Sequence, residues 1–371
     1  MINVFHIVSN KKWSGPEEYA YELASRLRHD SDFYAEIVCK KNEPVLTHFR
    51  RLEIPISILP LEGVTDIDSP TRFARLLKKG KNIVHVHTFH DAFTAVMARR
   101  ISENPNTRVV MTVHGITKPK ANYLYRKLYR SVDKFIFVSQ MAYDHWMSAA
   151  RNFNPDAACV IRDSVMENPL AQPAPQLREM LDLQPNQRLI MYHGRLAPEK
   201  GIDIALQAVA QLDRDKYHFA IIGDGNPKYV AQLKGFIVAN KLVRNVTLLG
   251  FRENMSDLIA QCDFGVLPSV EPEAMGLANL EYMMQGKAHI STNNGAQQEY
   301  VKNGHNALLV EPGNAFSLAA AIKSLIDDRE ACQRLGQQAL DDFNRELNYD
   351  IFYNRITQLY RDVLGFKQPQ E

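Results

Sequence analysis

Long apolar runs are missing from this 371-residue sequence, and none approaches the roughly 20 residues that span a bilayer. Met1 to Ser9 shows neither a basic leader nor a leader-length apolar stretch, so the chain is expected to stay in the cytoplasm. Cysteine is scarce. Cys39, Cys159, Cys262 and Cys332 are scattered, with no C-x-x-C pair and no histidine at metal-ligand spacing, which excludes a zinc ribbon or a disulfide scaffold and fits a reducing compartment. No G-x-G-x-x-G follows the first apolar run, where Trp13-Ser14-Gly15-Pro16-Glu17-Glu18 stands instead, and this argues against a nicotinamide-dependent dehydrogenase. Internal repeats, low-complexity tracts and nucleic-acid recognition modules are absent too, so no nucleic acid is expected as a partner.

What is present is a globular composition, 45% apolar and 23% charged, in a chain too long for one ordinary core. The net charge of +2 conceals an asymmetry: residues 1–165 hold 24 Lys+Arg against 17 Asp+Glu, and the remainder 20 against 25. An anionic partner for the first half follows from that imbalance. Short β-branched runs alternate with segments of helical period, the pattern of parallel sheets covered by helices. Strands are predicted at Ile2 to Val8, Tyr34 to Cys39, Ile83 to Val86, Arg108 to Val113 and Phe135 to Val138. The series restarts at Leu189 to His193, His218 to Ile222, Val246 to Leu249, Phe264 to Leu267 and His289 to Thr292. Between the halves, Pro169, Pro173, Pro175 and Pro185 forbid a long helix. The expected organisation is a first domain over 1–165, a hinge-bearing linker over 166–187, a second domain over 188–349, and a final amphipathic helix in 350–371 that packs back on the first.

Two segments carry the chemistry. In His193-Gly194-Arg195-Leu196-Ala197-Pro198-Glu199-Lys200-Gly201 a predicted strand runs into a glycine-flanked loop with two cations. A planar guanidinium and a compact ammonium suit a diphosphate whose charge grows as a bond breaks; alone, the segment reads equally as a solvated loop. In Glu273-Ala274-Met275-Gly276-Leu277-Ala278-Asn279-Leu280-Glu281, two carboxylates flank a glycine that opens a helix after the turn Leu267-Pro268-Ser269. A helix start with an exposed backbone favours an anion. Glu273 then suits sugar hydroxyls and Glu281 a ribose diol. Gly223-Asp224-Gly225 after a strand is by itself only a turn.

With these motifs in this order the chain resembles the retaining glycosyltransferases of family 4, which have the GT-B fold: α/β, with two Rossmann-like domains facing an interdomain cleft. The resemblance spans nearly the whole chain through Gly194-Arg195…Lys200-Gly201-Ile202-Asp203, Gly223-Asp224-Gly225, Asp263 to Ser269, Glu273-x7-Glu281, Gly286, Gly295, Glu299, Gly304 and Leu308-Leu309-Val310. It implies a nucleotide-sugar donor, UDP first, and a glycan or lipid-linked acceptor in cell-surface polysaccharide assembly. Arg195 and Lys200 would hold the donor diphosphate, Glu273 the sugar, Glu281 the ribose, and His114 the sugar from the first domain. Gly15, Gly194, Gly223, Gly225, Met275, Gly276 and Leu277 would complete the donor site. His85 and His87 match the family pattern but read as structural.

Two departures stand out: Pro16 follows Gly15 where a second glycine is usual, and Asp163-Ser164 replaces Asn-Gly. Asp66-Ile67-Asp68 spells a D-x-D, yet it falls in a loop-like stretch of the first domain, so no metal or other cofactor is expected. The basic and aromatic run Lys118 to Arg130 reads either as a helix lying on an anionic membrane, the inner face of the bounding membrane, or as an ordinary solvated helix. A nucleotide-sugar epimerase and a catalytically silent binding protein are the alternatives on the same fold.

Overall fold

In the computed structural model, which describes residues 1–150, 153–167 and 174–366, the apolar runs become two parallel sheets. Contacts divide the chain into a first unit, Met1–Arg162 with the chain from Phe352 onward, and a second unit, Asp163–Ile351. The first unit holds β1 (Ile2–Val8), β2 (Phe33–Cys39), β3 (Ile56–Ile58), β4 (Lys81–Val86), β5 (Thr107–Val113), β6 (Lys134–Phe137) and β7 (Ala158–Val160). The second holds β8 (Arg188–His193), β9 (Tyr217–Ile222), β10 (Val246–Gly250), β11 (Phe264–Leu267), β12 (Ala288–Thr292) and β13 (Leu308–Val310).

Strand order is β3-β2-β1-β4-β5-β6-β7 in the first sheet and β10-β9-β8-β11-β12-β13 in the second. Helices on both faces explain why the central strands read as unbroken apolar runs: every residue of β8 and β9 is buried. In each sheet the order reverses at one point, between β1 and β4 and between β8 and β11. Ligands of open parallel sheets bind at such switch points, beyond the carboxyl ends of the strands.

Two expectations about the chain's course need correction. Residues 174–187, expected as a connection, are built into the second unit: Leu177 is fully buried beside Leu189 and Tyr282, and its N–H reaches Gln261 Oε1 at 2.7 Å. Prolines 175 and 185 flank a single helical turn, Leu177–Met180; Pro169 and Pro173 lie outside the described residues. The sequence does not single out three strands, β3, β7 and β13, each three residues long and at a sheet edge, too short for a strand period to be told from any other short apolar stretch.

The final helix, Tyr349–Val363, is bound to the first unit by polar as well as apolar contacts. The Tyr353 hydroxyl lies 2.8 Å from Asp30 Oδ2, the Arg361 guanidinium 2.9 Å from Asp32 Oδ2, and Arg108 Nε donates to the Val363 carbonyl at 3.0 Å.

Candidate active site

At the switch point of the second unit, glycine permits strand ends to approach backbone to backbone. The Gly194 N–H donates to the Ile222 carbonyl at 3.0 Å and the Leu196 N–H to the Asp224 carbonyl at 2.8 Å. A Cβ at Gly223 would overlap the Gly194 carbonyl oxygen, and one at Gly225 the Leu196 carbonyl oxygen. The Gly-Asp-Gly turn is thus required by packing against the Arg195 loop, whatever else it binds.

The Lys200 loop meets the turn after β11 in the same way. The Val270 N–H donates to the Glu199 carbonyl at 3.0 Å, and Lys200 Nζ sits 2.6 Å from Glu273 Oε1, both side chains largely buried. Ser269 Oγ donates to the same oxygen at 2.5 Å, and the Thr292 hydroxyl fixes the Ser269 carbonyl at 2.8 Å. The Ala296 N–H then holds the Glu273 carbonyl at 2.8 Å. Gly276, at φ 76° and ψ 53°, turns the chain into the helix Leu277–Met284. The Tyr300 hydroxyl braces that turn from 2.6 Å of the Met275 carbonyl and 3.0 Å of the Gly276 carbonyl. Lys200, Glu273 and the Gly276 helix start therefore form one constellation. Arg195 joins it through Glu199, which its guanidinium meets at 2.8 Å with 65% of the side chain exposed; so exposed a pair contributes little stability and leaves the fork free to turn.

Glu281 is placed by β8. The Tyr282 hydroxyl donates to the Met191 carbonyl at 2.8 Å and so accepts from His193 Nδ1 at 3.0 Å. That contact fixes the ring with Nε2 2.5 Å from Glu281 Oε2. The approach lacks hydrogen-bond alignment, and both atoms are buried without a hydrogen-bond partner among the described residues, as are Asn279 Oδ1, Asn294 Oδ1 and Gln297 Oε1 nearby in the chain. Unsatisfied buried acceptors are costly and recur where a ligand completes the bonding. Ser269, Tyr300 and His193 were not foreseen as parts of the site. His193 is marked by its place at the end of an apolar strand, next to Gly194, whereas nothing local marks Tyr300, which lies 24 residues beyond the turn it braces.

In the first unit, the parallel register pairs His6 with His85, and the two-residue period carries His87 and His114 to the same face. Burial holds all four imidazoles neutral: it pushes His6 and His114 down to about 3, and, with the neighbouring histidines, takes His85 and His87 well below the usual range. Ring nitrogens of His6, His85 and His87 lie within 4.8 Å of one another. Both nitrogens of His85, however, are taken by the Tyr360 hydroxyl at 2.6 Å and Thr112 Oγ1 at 2.7 Å, so the set is built as a hydrogen-bonded stack. His6 Nδ1 lies 3.2 Å from His87 Nε2, and His87 Nδ1 3.0 Å from His114 Nε2. His6 Nε2 is buried and unpartnered. A bare lone pair is tolerated there better than an orphaned N–H, so each Nδ1 in the chain donates and the proton of His114 is assigned to Nδ1.

A pH dependence follows. The unfolded chain binds protons on these histidines near pH 6.5, and the folded unit takes them only far lower, so stability is lost as pH falls from about 6.5 towards 3, with a slope of up to about 1.4 kcal/mol per pH unit for each imidazole. Asp91, raised to about 6 by burial, and Glu17, also raised by burial, act in the opposite sense as pH falls, two groups against four. Circular-dichroism melts of the full chain should show the first unit's transition falling between pH 7 and pH 5. A flat profile contradicts the neutral stack.

Several expected features take a different form. Gly15 has nothing within 4 Å of its missing Cβ, and the start of its helix is occupied by the protein's own Glu17 carboxylate, bonded to Ser14 Oγ and Asn10 Nδ2 at 2.5 and 2.6 Å. Burial raises that carboxyl despite those bonds. Asp163 is buried and pushed up to about 7, its Oδ1 accepting from the Ser164 N–H at 2.9 Å. Asp66, just before the helix Asp68–Leu77, accepts from the Ser69 N–H at 2.9 Å, and Asp68 pairs with Arg72, so the D-x-D serves the first unit's own fold. In the basic run, only Tyr123–Tyr129 is helical; Tyr125 and Tyr129 pack edge-on against Phe89, while Tyr123 stays 73% exposed. Among the described residues no helix is long and apolar enough to cross a membrane.

Comparison with known proteins agrees with this geometry. Residues 174–342 match the model of the glycosyl transferases group 1, and residues 13–165 that of glycosyltransferase family 4. An uncharacterised glycosyltransferase of Methanocaldococcus jannaschii is 25% identical over 87% of this chain and 84% of its own. An Escherichia coli protein named UDP-Gal:alpha-D-GlcNAc-diphosphoundecaprenol alpha-1,3-galactosyltransferase is likewise 25% identical, over 88% and 89%. The crystal structure of Anabaena HepE in complex with UDP and glucose superposes with a TM-score of 0.82 at 21% identity, covering 96% of this chain and 98% of that one. The chain therefore belongs to the GT-B glycosyltransferases, with a family 4 domain followed by a group 1 transferase domain.

Proposed function

We propose that the chain moves a sugar from a uridine diphosphate donor to a glycan or lipid-linked acceptor of a surface polysaccharide, with retention of configuration and without a metal. The observation that carries the donor half is the fixed Lys200–Glu273 contact beside the Gly276 helix start. An ammonium has three donors; one engages Glu273, and two serve the phosphates. The first-turn N–H groups of the helix Leu277–Met284 add a second, preorganised source of positive potential where leaving-group charge develops. Glu273 accepts its two protein bonds on Oε1, leaving Oε2 for a sugar hydroxyl, and Glu281 serves the ribose. Arg195 swings from Glu199 to the diphosphate, the His114 Nδ1–H offers a hydrogen bond to a sugar hydroxyl, and a leaving-group oxygen takes the acceptor proton. The named activity of the E. coli relative and the UDP and glucose of the Anabaena structure support uridine and the lipid-linked class of acceptor.

The test is a thermal-shift panel of UDP, GDP and ADP, followed by incubation with the matching nucleotide sugar and no acceptor. At a hundredfold excess over its dissociation constant a ligand of the folded state adds about 2.7 kcal/mol, a rise of roughly 5–10 °C for a unit of this size. UDP is expected to give the largest rise, and UDP-sugar to yield slow release of free UDP at the same rate with EDTA present. No rise with UDP, or an isomerised donor in place of hydrolysis, contradicts the reading.

A further inference from the structure

Four cations of the positively charged first half line one recess of about 660 Å³ beyond the carboxyl ends of β2 and β3, Lys11, Lys40, Lys41 and Arg72, with a single carboxylate, Glu62, in the lining. We infer that this recess binds a phosphate or diphosphate group carried by the acceptor substrate. This rests on the transferase reading but makes no use of the donor site.

Cations gathered around one recess repel one another and focus a positive potential that attracts an anion. Arg72 is answered by Asp68 at 3.3 Å in an exposed pair, but for the lysines the anion supplied is weak: Glu62 reaches Lys40 at 3.5 Å, with 72% of its own side chain exposed. Lys40 is drawn in to 18% exposure, an unusual position for a lysine without a close partner. Asn42 ties the two sides of the recess together, its side chain donating to the Lys11 carbonyl at 2.7 Å. It also stands at the start of the helix Glu43–Arg50 without capping it, so that helix start adds its positive end to the lysines. Compact ammonium groups at several angles suit a phosphate better than the flat fork of one arginine suits a carboxylate. Because the strands of this sheet are parallel, β2 and β3 open onto the same edge as His87 and His114. The donor's own diphosphate is assigned to the second unit, so an anion here belongs to the other substrate.

The test titrates inorganic pyrophosphate into the full chain saturated with UDP, by calorimetry at low salt. Expected is saturable, salt-sensitive binding of one pyrophosphate, weakened at least tenfold in the double variant K40Q/K41Q, while the UDP thermal shift is the same in both proteins. Absence of binding to the UDP-saturated wild type, or equal binding by the variant, overturns the inference. Loss of the UDP shift in the wild type instead defeats the donor reading, which is a different failure. Flotation with phosphatidylcholine vesicles bearing a polyprenyl diphosphate identifies the source. Retention that K40Q/K41Q abolishes means a lipid-linked acceptor, and pyrophosphate binding without flotation means a soluble phosphorylated one; each supports the phosphate chemistry.

Discussion

Lys200→Ala is expected to slow sugar transfer roughly a hundredfold or more at saturating donor, because removing one preorganised donor to a developing anion typically costs about 2.7–4 kcal/mol of transition-state stabilisation. The size follows from placement. Lys200 Nζ is held by Glu273 at 2.6 Å with 23% of its side chain exposed, so its orientation is settled before the donor arrives. An alanine leaves Glu273 bonded only to Ser269, and that carboxylate then meets the diphosphate as an uncompensated like charge. The loss should therefore appear in kcat as well as in KM, since the interaction strengthens while the sugar–phosphate bond breaks. Arg195→Ala, at an exposed site, should cost less. Steady-state kinetics on both variants check the order, and near-normal turnover of Lys200→Ala contradicts the role given to it.

The parts of this site legible in the sequence are those with a local cause. Strand β1 is legible at its true limits because five of its seven residues are apolar, and the helix Leu277–Met284 because Gly276 supplies the left-handed turn its start requires. Lys200, Glu273 and Glu281 stood out through spacing. What stayed hidden depends on contacts distant along the chain. Tyr300 braces Gly276, Tyr360 occupies His85 from the final helix, and Leu177 seals residues 174–187 onto the second unit; no periodicity encodes such meetings. Gly223 and Gly225 show the opposite case, residues found by motif whose physical reason, a carbonyl oxygen where a side chain would be, emerges only from the packing. In the sequence His6 is legible only as part of a buried strand. Its place in the imidazole chain needs the register of β1 against β4, which sequence alone does not fix.

Gly201→Ala is expected to damage both stability and catalysis, although no functional atom is removed. Gly201 sits at φ 65°, where a side chain costs roughly 1–2 kcal/mol, and a Cβ there would overlap the Pro268 carbonyl oxygen. Backbone opposes backbone, so no rotamer change relieves the clash; the loop of Lys200 and the loop of Glu273 must part. Overpacking of this kind adds about 1–3 kcal/mol, and a displacement of about 1 Å at a positioned group costs on the order of a hundredfold in rate. The variant should melt several degrees lower and lose most of its UDP-induced shift. Gly235→Ala is the matched control. It lies in the helix Pro227–Ala239 with nothing within 4 Å of a new Cβ, where replacing glycine should stabilise by about 0.4–1 kcal/mol and leave transfer unchanged. Equal behaviour of the two variants would mean that the close approach of the Lys200 and Glu273 loops does not hold the donor site together.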